Sequence, residues 1–232
     1  MKLYYDLHIH SLLSPCADND MTPNNIINMA KIKGLDVISV TDHNSTLNLK
    51  EFSEVAKRLD ILFIPGVEVE TCEEIHVLLY FRDFSVVEEF QKIIEENLPN
   101  IPLREDIYGN QFLVDQEDNI VGNYKKLLLQ PLSLSISQVY DISKFYNAVF
   151  VPAHINRQSY GIIGRLGTLP DELKDVSIFE VSKVSEFEFS KFLLHNNSRY
   201  IFLHSSDAHH LGDINEREFF IESDILYTIF FE

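Results

Sequence analysis

The chain has 232 residues, 45% of them hydrophobic and 24% charged, with eight Gly and eight Pro. That balance excludes disordered and fibrous chains, and the length suits one domain or one barrel that buries roughly three-quarters of its unfolded surface. The formal charge of −17 opposes binding of a long polyanion, so extended nucleic acid is a poor partner, whereas small phosphorylated substrates stay open.

No run of about 18 apolar residues occurs, and the first ten residues carry Asp6, His8 and His10 where a signal peptide needs an apolar stretch. A cytoplasmic protein with no membrane attachment is expected. Cys16 and Cys72 alone do not make a disulfide framework.

In chain order, apolar runs at 3–7, 35–40, 61–67, 75–80, 148–151, 177–181 and 200–203 predict seven strands. Helical patterns at 23–33, 49–59, 86–96, 136–146 and 186–196 fill the intervals. The first has Thr22 as N-cap, Pro23 at the first helical position and Gly34 as its stop. The alternation predicts an α/β fold with a mainly parallel sheet, closed or nearly closed into a barrel. Too few residues separate 67–70 from 75–80 for a parallel crossover, so these two runs form a hairpin. A turn centred near Cys72 sets Glu68 opposite His76. Residues 97–129 are polar and irregular; 111–114 and 120–121 flank a turn-like 115–119, which predicts a hairpin insertion or lid within one domain spanning 1–232.

Of nine histidines, His8, His10, His43, His76, His154 and His209 fall at predicted strand ends or just beyond, beside carboxylates. Imidazole and carboxylate are ligands of first-row divalent metals, and a metal gives so many of them a common reason to converge where barrel active sites gather. His8 and His10, two apart on extended backbone, share a face. Taken alone, an HxH pair fits satisfied core or surface histidines equally well. Asp42 and His43 close the second strand, Glu68 the third and His154 the fifth. Asp207 and His209 close the last, on one face if the backbone is extended. Lys183 follows the sixth strand. His195 and His204 read as structural, His210 as exposed or supporting. Phe219, Phe220, Phe230 and Phe231 are expected to pack helices against the barrel.

The ordered blocks DLHIHS, a loop acid before MTP, GLDVISVTDHN, PGVEVE, HVLLY, PAHINR and SSDAHH resemble the polymerase and histidinol phosphatase (PHP) family over about residues 3–80 and 148–212. The insertion lies outside the resemblance. It implies a distorted (β/α)7 TIM-like barrel, two or three divalent metal ions (zinc, manganese or iron), and hydrolysis of a phosphoester, foremost a small phosphomonoester, by metal-activated water. Matched block by block, His8, His10, Glu68 and Asp207 would hold one ion, and Glu68, His76 and His154 a second. Asp18, His43 and His209 would hold a third. The first loop offers Cys16, Asp18 and Asp20; counting back from Thr22-Pro23 selects Asp18, with a Cys16 thiolate as the minor alternative. His8, His10, Glu68, His154, Asp207 and His209 would carry catalysis, with Arg157 on the substrate, although Ile155 replaces the proline of the family's H-P-x-R segment. Alternative readings are a nucleotide 3',5'-bisphosphate phosphatase, a single-strand exonuclease, or a metal-binding protein without turnover.

Overall fold

The first apolar run forms the longest strand, β1 (Lys2–Ile9), buried continuously from Tyr5 to Ile9, as a strand covered on both faces must be. The computed structural model describes residues 1–182 and 200–232. In it β2 (Val37–Val40) pairs parallel with β1, and β3 (Leu62–Phe63) parallel with β2. Helix α1 (Pro23–Ile32) starts where predicted, the Thr22 side chain accepting from Asn25 N. Helix α2 (Leu49–Arg58) buries Phe52, Val55 and Ala56, and α3 (Val87–Asn97) buries Phe90 and Ile94, both stripes facing the main core.

The third predicted strand is two. Pro65 lacks a ladder donor, and beyond it β4 (Gly66–Glu70) leaves β2 to pair antiparallel with β5 (His76–Tyr80). Gly66 permits the close crossing, since a Cβ there would lie 2.6 Å from Ser39 Oγ. The hairpin is confirmed, but its register differs from expectation: Glu70 stands opposite His76, and Glu68 opposite Leu78. The turn is centred one residue later, with Glu74 at φ 59°. One residue at the turn moves the partner by two, which preserves the face, so Glu68 and His76 remain neighbours.

Strand β5 also pairs antiparallel with β8 (Val149–Pro152), so the mainly parallel expectation fails in this region. Strands β9 (Ile178–Glu180) and β10 (Ile201–Leu203) are parallel. Among the described residues the ladders form four separate sheets, and no closed barrel results. The reversal at the hairpin turns one strand against both its neighbours, which is why the order is not parallel throughout.

The insertion contains α4 (Glu105–Tyr108) and the expected hairpin of β6 (Phe112–Val114) and β7 (Ile120–Asn123). It is fastened to the first loop: Phe112 N donates to Leu12 O at 3.1 Å, and Asp118 accepts from Thr22 Oγ1 and Asn24 N. Helix α5 (Ile136–Phe145) begins with a Ser135–Gln138 capping box, and α6 (Ile162–Leu166) follows β8. Besides α4 and α6, two further elements were not anticipated, β11 (Phe220–Glu222), antiparallel to β1, and α7 (Ser223–Phe230). Phe230 packs on Tyr80 as expected, but Phe220 lies in the edge strand under Lys2, and Phe219 stacks on His204. The expected helix at 186–196, with Lys183 and His195, lies outside the described residues.

Candidate metal centre

Glu68 lies inside β4, and its carboxylate is fully buried. Burying an unpaired carboxylate is costly, yet five histidine nitrogens surround this one. His76 Nδ1 is at 2.9 Å, His43 Nδ1 at 3.0 Å, His8 Nε2 and His154 Nε2 at 3.3 Å, and His10 Nε2 at 3.4 Å. His10 Nε2 also lies 3.0 Å from Asp207 Oδ1 and 3.2 Å from His8 Nε2. His8, His10, His43, His76, His154 and Asp207 therefore come together as expected, with Glu68 shared between them.

Hydrogen bonds outside the cluster fix which nitrogen faces in. His8 Nδ1 lies 2.9 Å from Glu180 Oε1, so that nitrogen carries a proton and Nε2 is the one left to face a cation. Ser14 gives its one proton to Asp42 Oδ1, hence Ser14 Oγ accepts from His10 Nδ1, and His10 Nε2 faces the cluster. His209 Nδ1 donates to Asp207 O at 2.8 Å. Asp42 thus orients His10 through Ser14, rather than its sequence neighbour His43.

The surroundings hold strained backbone. Asp207 (φ 55°) and His154 (φ 27°) are left-handed, so Asp207 is not on extended chain as expected; its loop instead bridges to Ile9, with His10 N donating to Ala208 O. Glu180, at the end of β9 and buried, accepts from His154 N as well as facing His8. Sequence reasoning missed Glu180. The available signal was an acid closing an apolar run, the pattern that had singled out Glu68.

Burial opposes charge throughout, and at most of these groups the neighbours outweigh it. Burial pulls His8 down, and Glu180, Glu68 and Asp207 together lift it well above its ordinary value. Burial raises Glu68 and Asp207, yet the histidines around them hold both carboxyls well below the usual range. His76 is pushed down to about 4, mainly by burial. Desolvation raises the Cys16 thiol, and hydrogen bonds to His209 and His43 outweigh it, leaving it at about 7.

A divalent cation fits this donor set on a direct test. His43 Nδ1 and Glu68 Oε2 are buried, 3.0 Å apart, and hydrogen-bonded to nothing. Bound cations would satisfy both. Three donor groups have ligand atoms within 4.8 Å of one another: His8, His10 and Asp207; His43, Glu68 and His76; His10, His43 and His209. They border a cavity of about 280 Å³, with Arg157 and Tyr160 at its edge. Arg157 Nη1 pairs with Asp207 Oδ2 at 2.6 Å, and Tyr160 stacks on His76. Asp18 is not in a donor group: its carboxylate is 48% exposed, accepts from Asp20 N, and faces His210. No helix among the described residues is long and apolar enough to cross a membrane.

Comparison with known proteins agrees with this geometry. The PHP domain profile matches residues 6–164. A 3',5'-nucleoside bisphosphate phosphatase of Chromobacterium violaceum is 39% identical over 64 residues, 28% of this chain and 21% of that protein. A 5'-3' exoribonuclease of Haemophilus influenzae is 34% identical over 71 residues, 31% of this chain and 25% of that protein. The matched segments therefore take in a quarter or less of these two relatives. In fold, a Bifidobacterium adolescentis protein provisionally classed as a metal-dependent phosphoesterase superposes with a TM-score of 0.69 at 19% identity, covering 97% of this chain and 94% of its own. With more than half of its length matched, the chain belongs to the PHP domain family.

Proposed function

We propose that this PHP-domain protein is a metal-dependent phosphoesterase that prefers a small phosphomonoester. The convergence of five histidine nitrogens on Glu68, with two buried atoms left unbonded, carries the reading. His8, His10, Glu68 and Asp207 would hold one cation, Glu68, His76 and His154 a second, and His43 with His209 a third, completed from the first loop by Asp18 or Cys16. Zinc, manganese and iron all suit nitrogen and carboxylate donors. Bound there, such cations supply Lewis acidity and charge neutralisation and make water nucleophilic near neutral pH.

The chain's own groups do the rest. Glu180 holds His8 and His154 in one arrangement, and Asp42 does the same for His10 through Ser14. Arg157, at the cavity mouth beside Asp207, is placed to receive phosphoryl oxygens through its planar fork. A cavity of about 280 Å³ favours a phosphoryl group with a small leaving part. In this reading the four sheets are sectors of a distorted (β/α)7 barrel. The bridges Ile9↔Ala208 and His43↔Glu68 between separate ladders support it.

The test is an assay of metal-reconstituted protein on histidinol phosphate, nucleoside 3',5'-bisphosphates, generic phosphomonoesters and short oligonucleotides. Metal-dependent phosphate release lost in Asp207→Ala is expected. Bound metal with no hydrolysis of any substrate defeats the enzymatic reading in favour of a metal-binding protein. The match to a relative named as an exoribonuclease supports a second reading, action on a nucleotide or single-stranded nucleic-acid end. Stepwise shortening of oligonucleotides in preference to phosphomonoester turnover selects it.

A further inference from the structure

The first loop contains the one thiol bordering the metal centre among the described residues. Cys16 lines the cavity together with His43 and His209. The nitrogens of His10, His43 and His209 lie within 4.8 Å of one another, a group with three neutral donors and no anion of its own. His43, only 7% exposed, belongs both to this group and to the one with Glu68 and His76. Asp18, the other loop candidate, is engaged elsewhere, accepting from Asp20 N and facing the exposed His210. Backbone contacts hold the loop: Asp18 N donates to His209 O at 2.9 Å, and Phe112 N of the insertion donates to Leu12 O.

Resting on the metal-dependent reading above, we infer that Cys16, not Asp18, supplies the anionic ligand of the His43–His209 cation site. Three imidazoles and a thiolate are a donor set for zinc or another thiophilic divalent ion, whereas manganese and magnesium prefer oxygen. The thiolate makes this position selective while the remaining sites, built from imidazole and carboxylate, stay permissive. The insertion then contributes to metal selection, because it braces the loop that carries the sulfur.

Cobalt(II) is the probe, since cobalt bonded to thiolate gives a near-ultraviolet charge-transfer band that imidazole and carboxylate do not. The full chain, stripped with chelator and reloaded with cobalt, is expected to show the band. Asp18→Asn and Cys72→Ser should keep it, and Cys16→Ser should lose it. In parallel, metal should slow the reaction of Cys16 with a thiol reagent at least tenfold, leaving Cys72 unaffected; this reading needs no variant and so survives any folding defect. Cobalt uptake without the band, a band that persists in Cys16→Ser, or equal thiol reactivity with and without metal overturns the inference while leaving the phosphoesterase reading intact. Absence of cobalt uptake overturns both.

Discussion

Glu68 and Asp207 reach the same cluster by different means. Glu68 sits within β4, laddered to β5 and bridged to His43, so strand register sets its direction. Asp207 lies beyond β10 and His154 beyond β8, both left-handed. Such backbone costs on the order of 1–3 kcal/mol per residue and persists only where the surroundings enforce it. Here the enforcement comes from Ser206 Oγ on Ala208 N and from Glu180 on His154 N. A ligand on a strand depends on its ladder, whereas a ligand on a loop depends on the groups that support it.

The largest expected effect is on the strand-borne side. Glu68→Gln keeps the shape and the register but removes the shared negative charge, so hydrolysis should fall on the order of a thousandfold, the equivalent of several kcal/mol of cation chemistry. Elemental analysis should show less metal at an unchanged circular dichroism spectrum. Full metal content and turnover would falsify the central role of Glu68.

His76, on the neighbouring strand, predicts a pH dependence of the metal-free protein. In the fold it takes its proton only near pH 4, against an ordinary value of 6.5. Between those values the unfolded chain binds the proton and the fold does not, so stability is present above about 6.5 and declines as pH falls towards 4, by at most about 3 kcal/mol. Denaturant melts of His76→Gln should be flatter across that window; His10, also held below its ordinary value by burial, adds slope of the same sign, and the buried carboxyls of Asp6 and Asp42, raised above theirs, add slope of the opposite sign. An unchanged slope shows that His76 titrates normally in the fold.

The loop-borne side gives the smallest of these effects. Glu180 faces His8 Nδ1 with both oxygens and accepts from His154 N with Oε2, so Glu180→Gln removes the charge and turns one acceptor oxygen into a donor beside those N–H groups. Glu180→Gln should weaken metal affinity about 10- to 100-fold in a chelator competition. If affinity is unchanged, the loops hold themselves and the contrast with Glu68 fails.

Residue pattern alone determined a good deal of this protein. The 3.6-residue stripes of α1, α2, α3 and α5 and the apolar runs of the strands are local signals, and they placed these elements to within about two residues, the third run being divided at Pro65. The donors at strand ends were legible because a buried imidazole or carboxylate after an apolar run has few reasons to be there without a partner. Tertiary structure decided what depends on contacts distant in the chain. It set the Glu70–His76 register, the antiparallel β5–β8 pairing, and the edge strand β11, whose three residues form only because β1 offers a partner 218 positions away. It also chose Glu180 as the support of His8, across 172 positions, and set Cys16, not Asp18, on the cavity that His43 and His209 line. Spacing along a chain records which side chains share a face; which face meets which is settled only when burial makes every polar group find its partner.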